Sequence, residues 1–197
     1  MRTLVIVAHP NIATSRVNSS WLNSLVNEKK FKIKNLIELY PNYAFDIDQE
    51  QQDLSEAERI ILQFPLFWYS CPAILKKWMD DVFTPGFAYA RHGDKLKGKE
   101  LMLCISVGAP EDGYRATGFN NFTLDELLRP FQQTANYIKA RFLPPFIFYQ
   151  SVFATDEQIA DSTRAMVNHV TGACEPPSIT YEKLLLSAEA MNIALVS

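Results

Sequence analysis

The sequence predicts an α/β protein built on a doubly wound parallel sheet with helices on both faces. Five apolar, strand-like runs alternate with helix-like segments along the chain. Such alternation folds into a parallel sheet through right-handed crossovers. The inner runs, Ile60-Ile61-Leu62 and Leu101-Met102-Leu103-Cys104-Ile105, are almost continuously apolar, as strands covered on both faces are. Five strands favour the order 2-1-3-4-5.

The strands are expected at Thr3–Ala8, Phe31–Ile37, Arg59–Phe64, Glu100–Val107 and Arg141–Tyr149. The first ends abruptly at His9-Pro10. A polar loop follows, and helical apolar spacing starts at Val17 and Trp21, with Ser15 placed to cap that helix. The helix after Pro72 carries Ile74, Leu75, Trp78, Met79, Val82 and Phe83. This stripe is wide for a helix covering one side of a sheet, and dimerisation is the favoured reason for its width. Thr123-Leu124-Asp125-Glu126 and Thr155-Asp156-Glu157-Gln158 fit the capping box. Pro130 should kink or split the helix it falls in. The last helix of the domain places Ile159, Thr163, Met166, Val167 and Val170 on one stripe. Cys174-Glu175-Pro176-Pro177 breaks it, and Tyr181–Ala194 can form one more short helix. Residues 1–171 read as one domain and 172–197 as an appendage.

The length of 197 residues suits a single domain with a sizeable core. A formal net charge of −3 provides no broad basic field, which argues against nucleic-acid binding. The first apolar run is too short for a signal peptide, and no run reaches the length of a membrane span. Three dispersed cysteines without a Cys-x-x-Cys imply a reducing cytoplasm, no disulfide framework and no metal site.

Three loops should meet at the carboxyl edge of the sheet. The segment from His9 to Asn23, with Ser15 and Asn18, contains no Asp or Glu, as a phosphate cradle at a helix start requires. The segment Pro65 to Pro72 is aromatic and stiffened by proline at both ends. The segment Ser106 to Tyr114 contains Gly108 and Gly113, which permit close approach of backbone to a planar ring. Plainer readings accompany these. His9 can be a structural strand-end histidine, Ser15 and Asn18 helix caps, and Phe67, Trp68 and Tyr69 packing residues. Glu111 and Asp112 read as a solvated turn. Cys71 precedes a helix, which would lower its pKa, but no partner histidine stands nearby.

The ordered set of motifs resembles the flavodoxin-like NAD(P)H:quinone oxidoreductases over roughly residues 1–171. The marks are Ala8-His9-Pro10 with Ser15 and Asn18, Phe64 to Ser70 running into Pro72 to Lys76, and Val82 to Tyr89. Lys97-Gly98-Lys99 and Ser106 to Ala109 leading to Tyr114 complete them. Leu39-Tyr40-Pro41 and Leu143-Pro144-Pro145-Phe146 are similar to the bacterial branch that includes the ancillary subunit of the glutathione-gated potassium-efflux system.

The resemblance implies a flavodoxin-like fold and a flavin, FMN with FAD as the alternative. It implies NADH or NADPH as donor and two-electron, ping-pong hydride transfer to a quinone-like acceptor. His9, Ser15, Arg16, Val17 and Asn18 match the phosphate-binding positions. Leu66, Phe67, Trp68 and Tyr69 match the loop along the isoalloxazine, and Ser106, Val107, Gly108 and Ala109 the loop at its pyrimidine edge. Tyr114 matches a tyrosine that steadies charge on the reduced flavin. Asn120 stands where that tyrosine's histidine partner is found in mammalian members, and asparagine cannot take a proton near neutral pH. Gly108-Ala109 departs from paired glycines by one methyl. The family forms homodimers. The branch also implies an alternative role, a regulatory protein docking on a potassium-efflux transporter and so held at the periphery of the inner membrane.

Overall fold

A computed structural model of the chain describes residues 1–26, 30–175 and 177–191. The strands are β1 (Thr3–Val7), β2 (Phe31–Asn35), β3 (Arg59–Pro65), β4 (Glu100–Ser106), β5 (Arg141–Phe142) and β6 (Phe146–Phe148). The helices are α1 (Arg16–Val26), α2 (Leu36–Leu39), α3 (Ile47–Glu56) and α4 (Ala73–Val82), then α5 (Leu124–Leu127), α6 (Arg129–Tyr137), α7 (Asp156–Thr171) and α8 (Pro177–Ala190).

All strand pairs are parallel, in the order β2-β1-β3-β4-β5, with β6 also pairing with β4. The expected order is therefore observed, and the fifth run yields two strands instead of one. Leu143-Pro144-Pro145 lies between them. Proline has no amide hydrogen to donate to the ladder, so the edge strand is interrupted there. Pro130 acts similarly: α5 ends at Leu127, Leu128 intervenes, and Pro130 occupies the first turn of α6, where a missing N–H costs nothing.

The pleat sorts the core onto two faces. Leu4, Ile6, Ile60, Leu62, Phe64, Leu101, Leu103 and Ile105 pack with Leu54, Leu75, Trp78, Val82, Phe131 and Ala135, which come from α3, α4 and α6. Val5, Val7, Ile61, Met102 and Cys104 pack with Val17, Trp21 and Leu25 of α1 and Ile159, Met166 and Val170 of α7. The indole of Trp21 donates to Ser162 Oγ at 3.1 Å, joining α1 to α7. Both expected capping boxes are present, at Thr123 and Thr155.

The wide stripe on α4 has an explanation within the chain. Ile74, Leu75, Trp78, Val82 and Phe83 are all buried in the single chain, so the stripe needs no second copy to cover it. Trp78 donates to Glu50 Oε2 at 2.9 Å. Glu50 belongs to a buried charged group that sequence patterning does not reveal. Lys34 on β2 pairs with Glu50 and, at 2.8 Å, with Asp53, both on α3, while Lys32 reaches Asp53 at 2.6 Å. The Tyr40 hydroxyl donates to Glu50 Oε1 at 2.6 Å. Helix α3 is capped by Asp46, whose side chain accepts the Gln49 amide.

The last helix begins at Pro177, earlier than expected, and its described side chains are mostly exposed. Residues 192–194 of the expected helix lie outside the described residues. Among the described residues, no helix is long and apolar enough to cross a membrane.

Candidate functional site: a three-loop cleft at the carboxyl edge of the sheet

Parallel strands bring the loops after β1, β3 and β4 to the same edge, and α1 starts there. These loops line a cleft of about 410 Å³ together with Ser151 and Val152. His9, Ser15, Arg16, Val17, Asn18, Leu66, Phe67, Ser106 and Gly108 all reach it, and no carboxylate among the described residues lines it.

One end is a donor cradle. Ser15 Oγ accepts the Asn18 amide at 3.1 Å, which caps α1. The first-turn amides of Arg16 and Val17 have no carbonyl within the helix to bond. The Asn11 amide donates to His9 Nδ1 at 3.1 Å. Burial holds the His9 pKa below its ordinary value, so near neutral pH the ring is uncharged, with its proton on Nε2. His9 is thus a donor through that nitrogen. The Arg16 guanidinium is turned outward, donating to Ala154 O at 2.9 Å and to Asp156 at 2.7 Å. Asn18 is 2% exposed. Its Nδ2 donates to Ser106 Oγ at 2.9 Å, tying the first loop to the third.

The second loop is aromatic. Phe67 and Ser70 exchange backbone hydrogen bonds at 3.1 and 2.9 Å, closing a two-residue turn over Trp68 and Tyr69. Both central residues have positive φ, 47° and 63°, the pattern of a type I′ hairpin that normally selects Asn or Gly. Two bulky residues held there represent backbone strain of order 1–3 kcal/mol each. Trp68 is 91% exposed, and Phe67 and Tyr69 are also exposed. Neither Trp68 nor Tyr69 lines the cleft itself. The Tyr69 hydroxyl donates to Asn120 Oδ1 at 3.2 Å. Asn120 Nδ2 is buried without a protein acceptor among the described residues.

The third loop is zipped to the segment after β6. Val107 donates to Phe148 O at 2.9 Å, Ser151 to Val107 O at 2.9 Å, and Gln150 to Ala109 O at 3.1 Å. Val107 is buried, and only Gly108 of the pair Gly108-Ala109 lines the cleft. A Cβ on Gly108 would lie 3.3 Å from Val152 Cγ2. Tyr114 lines a neighbouring hollow with Gln150, the residue before Ser151. Burial, and then the nearby Tyr69, raises the Tyr114 pKa. Glu111 and Asp112 form the exposed turn expected of them. Burial pushes the Cys71 thiol up, opposite to what its place before a helix suggests.

Sequence reasoning missed Thr14, Ser151 and Val152 in the lining. The last two follow the fifth expected strand, Arg141–Tyr149, whose closing loop was not counted among the three loops expected at this edge. A second groove, of about 510 Å³, lies among Leu128, Phe142, Leu143, Pro144 and Pro145 and gathers none of the three loops.

A family profile described as a flavodoxin-like fold matches residues 1–170. An uncharacterized NAD(P)H oxidoreductase of Bacillus subtilis, YrkL, is 51% identical over 170 residues, covering 86% of this chain and 98% of the relative. The glutathione-regulated potassium-efflux system ancillary protein KefG of Cronobacter sakazakii is 36% identical over 164 residues, covering 83% and 89%. Two crystal structures superpose closely. General stress protein 14 of Treponema denticola, in complex with FMN, has a TM-score of 0.83 and 37% identity, covering 87% of this chain and 98% of its own. An NADPH-quinone reductase from P. pentosaceus has a TM-score of 0.80 and 36% identity, covering 88% and 99%. With the strand order and the three-loop edge already established, the profile match over residues 1–170 shows that the chain belongs to the flavodoxin-like family.

Proposed function

We propose that the chain is a cytoplasmic, FMN-dependent NAD(P)H:quinone oxidoreductase. The observation that carries this reading is the cleft itself. A donor cradle at a helix start and Leu66 and Phe67, at the base of an exposed aromatic hairpin, line one 410 Å³ space, with no carboxylate among its described lining residues. The residues present fit a flavin mononucleotide: amides and a hydroxyl for the phosphate, and a glycine and an aromatic side chain for a planar ring. The relative named as an NAD(P)H oxidoreductase, the FMN complex and the quinone reductase structure support the same assignment. FAD is the alternative cofactor.

In this reading the amides of Arg16 and Val17, the Ser15 hydroxyl and His9 Nε2–H hold the phosphate. Asn18 and Ser106 keep the phosphate loop and the ring-edge loop in register. Leu66, Phe67, Trp68 and Tyr69 wall the ring, and Ser106 to Ala109 meet its polar edge. Tyr114 is the assigned catalytic residue, its hydroxyl kept protonated by burial and so able to donate a hydrogen bond to developing charge. A bound FMN supplies two-electron exchange between a nicotinamide donor and a quinone-like acceptor. Donor and acceptor use the same open face in turn, which makes the kinetics ping-pong. No side chain need shuttle a proton between them. Residues 1–171 form the flavin-binding domain and 172–197 an appendage. Exposed Phe67, Trp68, Phe119 and Phe122 suit a homodimer better than the buried α4 stripe does.

The test is an absorbance spectrum of purified protein supplied with FMN or FAD, followed by NADH or NADPH. Flavin bands that bleach with donor and return with a quinone support the proposal; no flavin uptake defeats it. KefG relatives at 36% identity favour a second reading, an ancillary protein docking on a potassium-efflux transporter. Co-purification with that transporter's cytoplasmic domain would support it. Quinone turnover in isolation with no transporter recovered would count against it.

A further inference from the structure

The aromatic hairpin is strained yet defined. Phe67 and Ser70 close it, and the Leu66 amide just before it donates to Ser106 O at 2.9 Å, which holds its base and leaves the tip beyond these bonds. Trp68 is 91% exposed, so packing of that side chain does little to anchor the tip. The side-chain hydrogen bond from Tyr69 to Asn120, 51 residues further on, spans from this tip to the turn that follows the third loop.

The receiving turn is held by its own backbone bonds. Asn120 donates its amide to Gly113 O at 3.0 Å, and Asn121 donates to Gly118 O at 2.9 Å. A Cβ on Gly118 would fall 2.4 Å from Gly113 O, and one on Gly113 would fall 2.7 Å from the Phe119 ring. Two glycines therefore let backbone and ring close tightly beneath Asn120. The Tyr69–Asn120 bond therefore tethers an exposed, strained tip to a turn held by its own backbone bonds.

We propose that Asn120 is a positioning residue, which through the Tyr69 hydroxyl fixes the aromatic hairpin at the ring end of the cleft. The proposal rests on the flavin reading for its consequence and not for its geometry. Loss of this bond loosens the ring end alone, because the phosphate cradle at Ser15 belongs to a different loop. Asparagine suits this role without titrating, since its carbonyl accepts a hydrogen bond at every pH the fold survives.

The experiment has two arms. In protein without cofactor, time-resolved anisotropy of tryptophan emission reports on Trp68, because Trp21 and Trp78 are fully buried. Asn120→Leu and Tyr69→Phe are each expected to enlarge the fast-decaying component. Asn120→Asp, which keeps an accepting oxygen, is expected to match the unaltered protein. Trp68→Phe identifies the component. In the second arm, FMN and riboflavin are titrated by flavin fluorescence. Asn120→Leu and Tyr69→Phe should weaken both ligands by the same factor, about five-fold, as loss of one hydrogen bond implies. The double variant should be no worse than either single one. Ser15→Ala should weaken FMN alone. Unchanged anisotropy in Asn120→Leu and Tyr69→Phe overturns the proposal. So does Asn120→Asp behaving like Asn120→Leu, or additive losses in the double variant. Failure of every form to bind flavin defeats the flavin reading, while the anisotropy arm still decides the positioning role.

Discussion

Ser15 gives one hydroxyl two duties, capping α1 and facing the cleft. Ser15→Ala is expected to lower unfolding stability by about 1 kcal/mol in a denaturant titration, as loss of an N-cap does. Its spacing to Asn18 was legible because a cap and its amide lie three residues apart. The destination of the Asn18 side chain was not legible: Ser106 lies 88 residues away, and no local pattern encodes that meeting. Gly118 shows the same limit. Its lack of a side chain is essential because Gly113 O occupies the space. Gly118→Ala is expected to open the loop that holds Asn120, with a lower Tm and weakened near-ultraviolet dichroism from the aromatic cluster.

At the scale of elements, the sequence declared what local chemistry governs. Capping boxes marked α5 and α7, and Pro130 divided α5 from α6. The prolines between β5 and β6 carried a signal too, but a run of apolar residues from Arg141 to Tyr149 concealed it. Helix α3 also had a start signal at Asp46, yet few apolar residues follow it, because its buried positions include Glu50 and Asp53. Its inner face is ionic where it meets β2, and apolar periodicity is silent about such a face. Trp78 completes the group by donating to Glu50. Trp78→Phe keeps the aromatic packing and leaves a buried acceptor one bond short. Destabilisation of roughly 1–3 kcal/mol is expected, with an unchanged m-value in urea.

For the whole molecule, the charged group sets a pH window for stability. Burial opposes ionisation of Asp53, but Lys32 and Lys34 outweigh it and hold the carboxyl below its ordinary 3.8. That contribution is fully present above the unfolded value and is lost as pH falls through the lower folded one. Burial likewise opposes the charge on Lys34, and Asp53 and Glu50 outweigh it, raising the ammonium above its ordinary 10.5. That contribution is present below the unfolded value and is lost as pH rises through the folded one. Denaturation midpoints should therefore fall below about pH 4, and Asp53→Asn should flatten that acid limb while lowering stability at neutral pH. The exposed α8 adds little to the fold: a chain ending at Glu175 should keep its Tm within about 2 °C.

The sequence by itself determined the strand-helix alternation, the helix caps and the three loops bound for one edge. Each depends on periodicity or on neighbours a few residues apart, and parallel strand order then delivers the loops without further information. Tertiary structure alone decided which side chains in those loops reach the cleft. It turned Arg16 outward to Asp156 and locked Asn18 onto Ser106. It brought Ser151 and Val152 into the lining and aimed a strained hairpin at Asn120. Those outcomes depend on contacts between residues distant in the chain, whose energies are set by packing and burial that no local window contains.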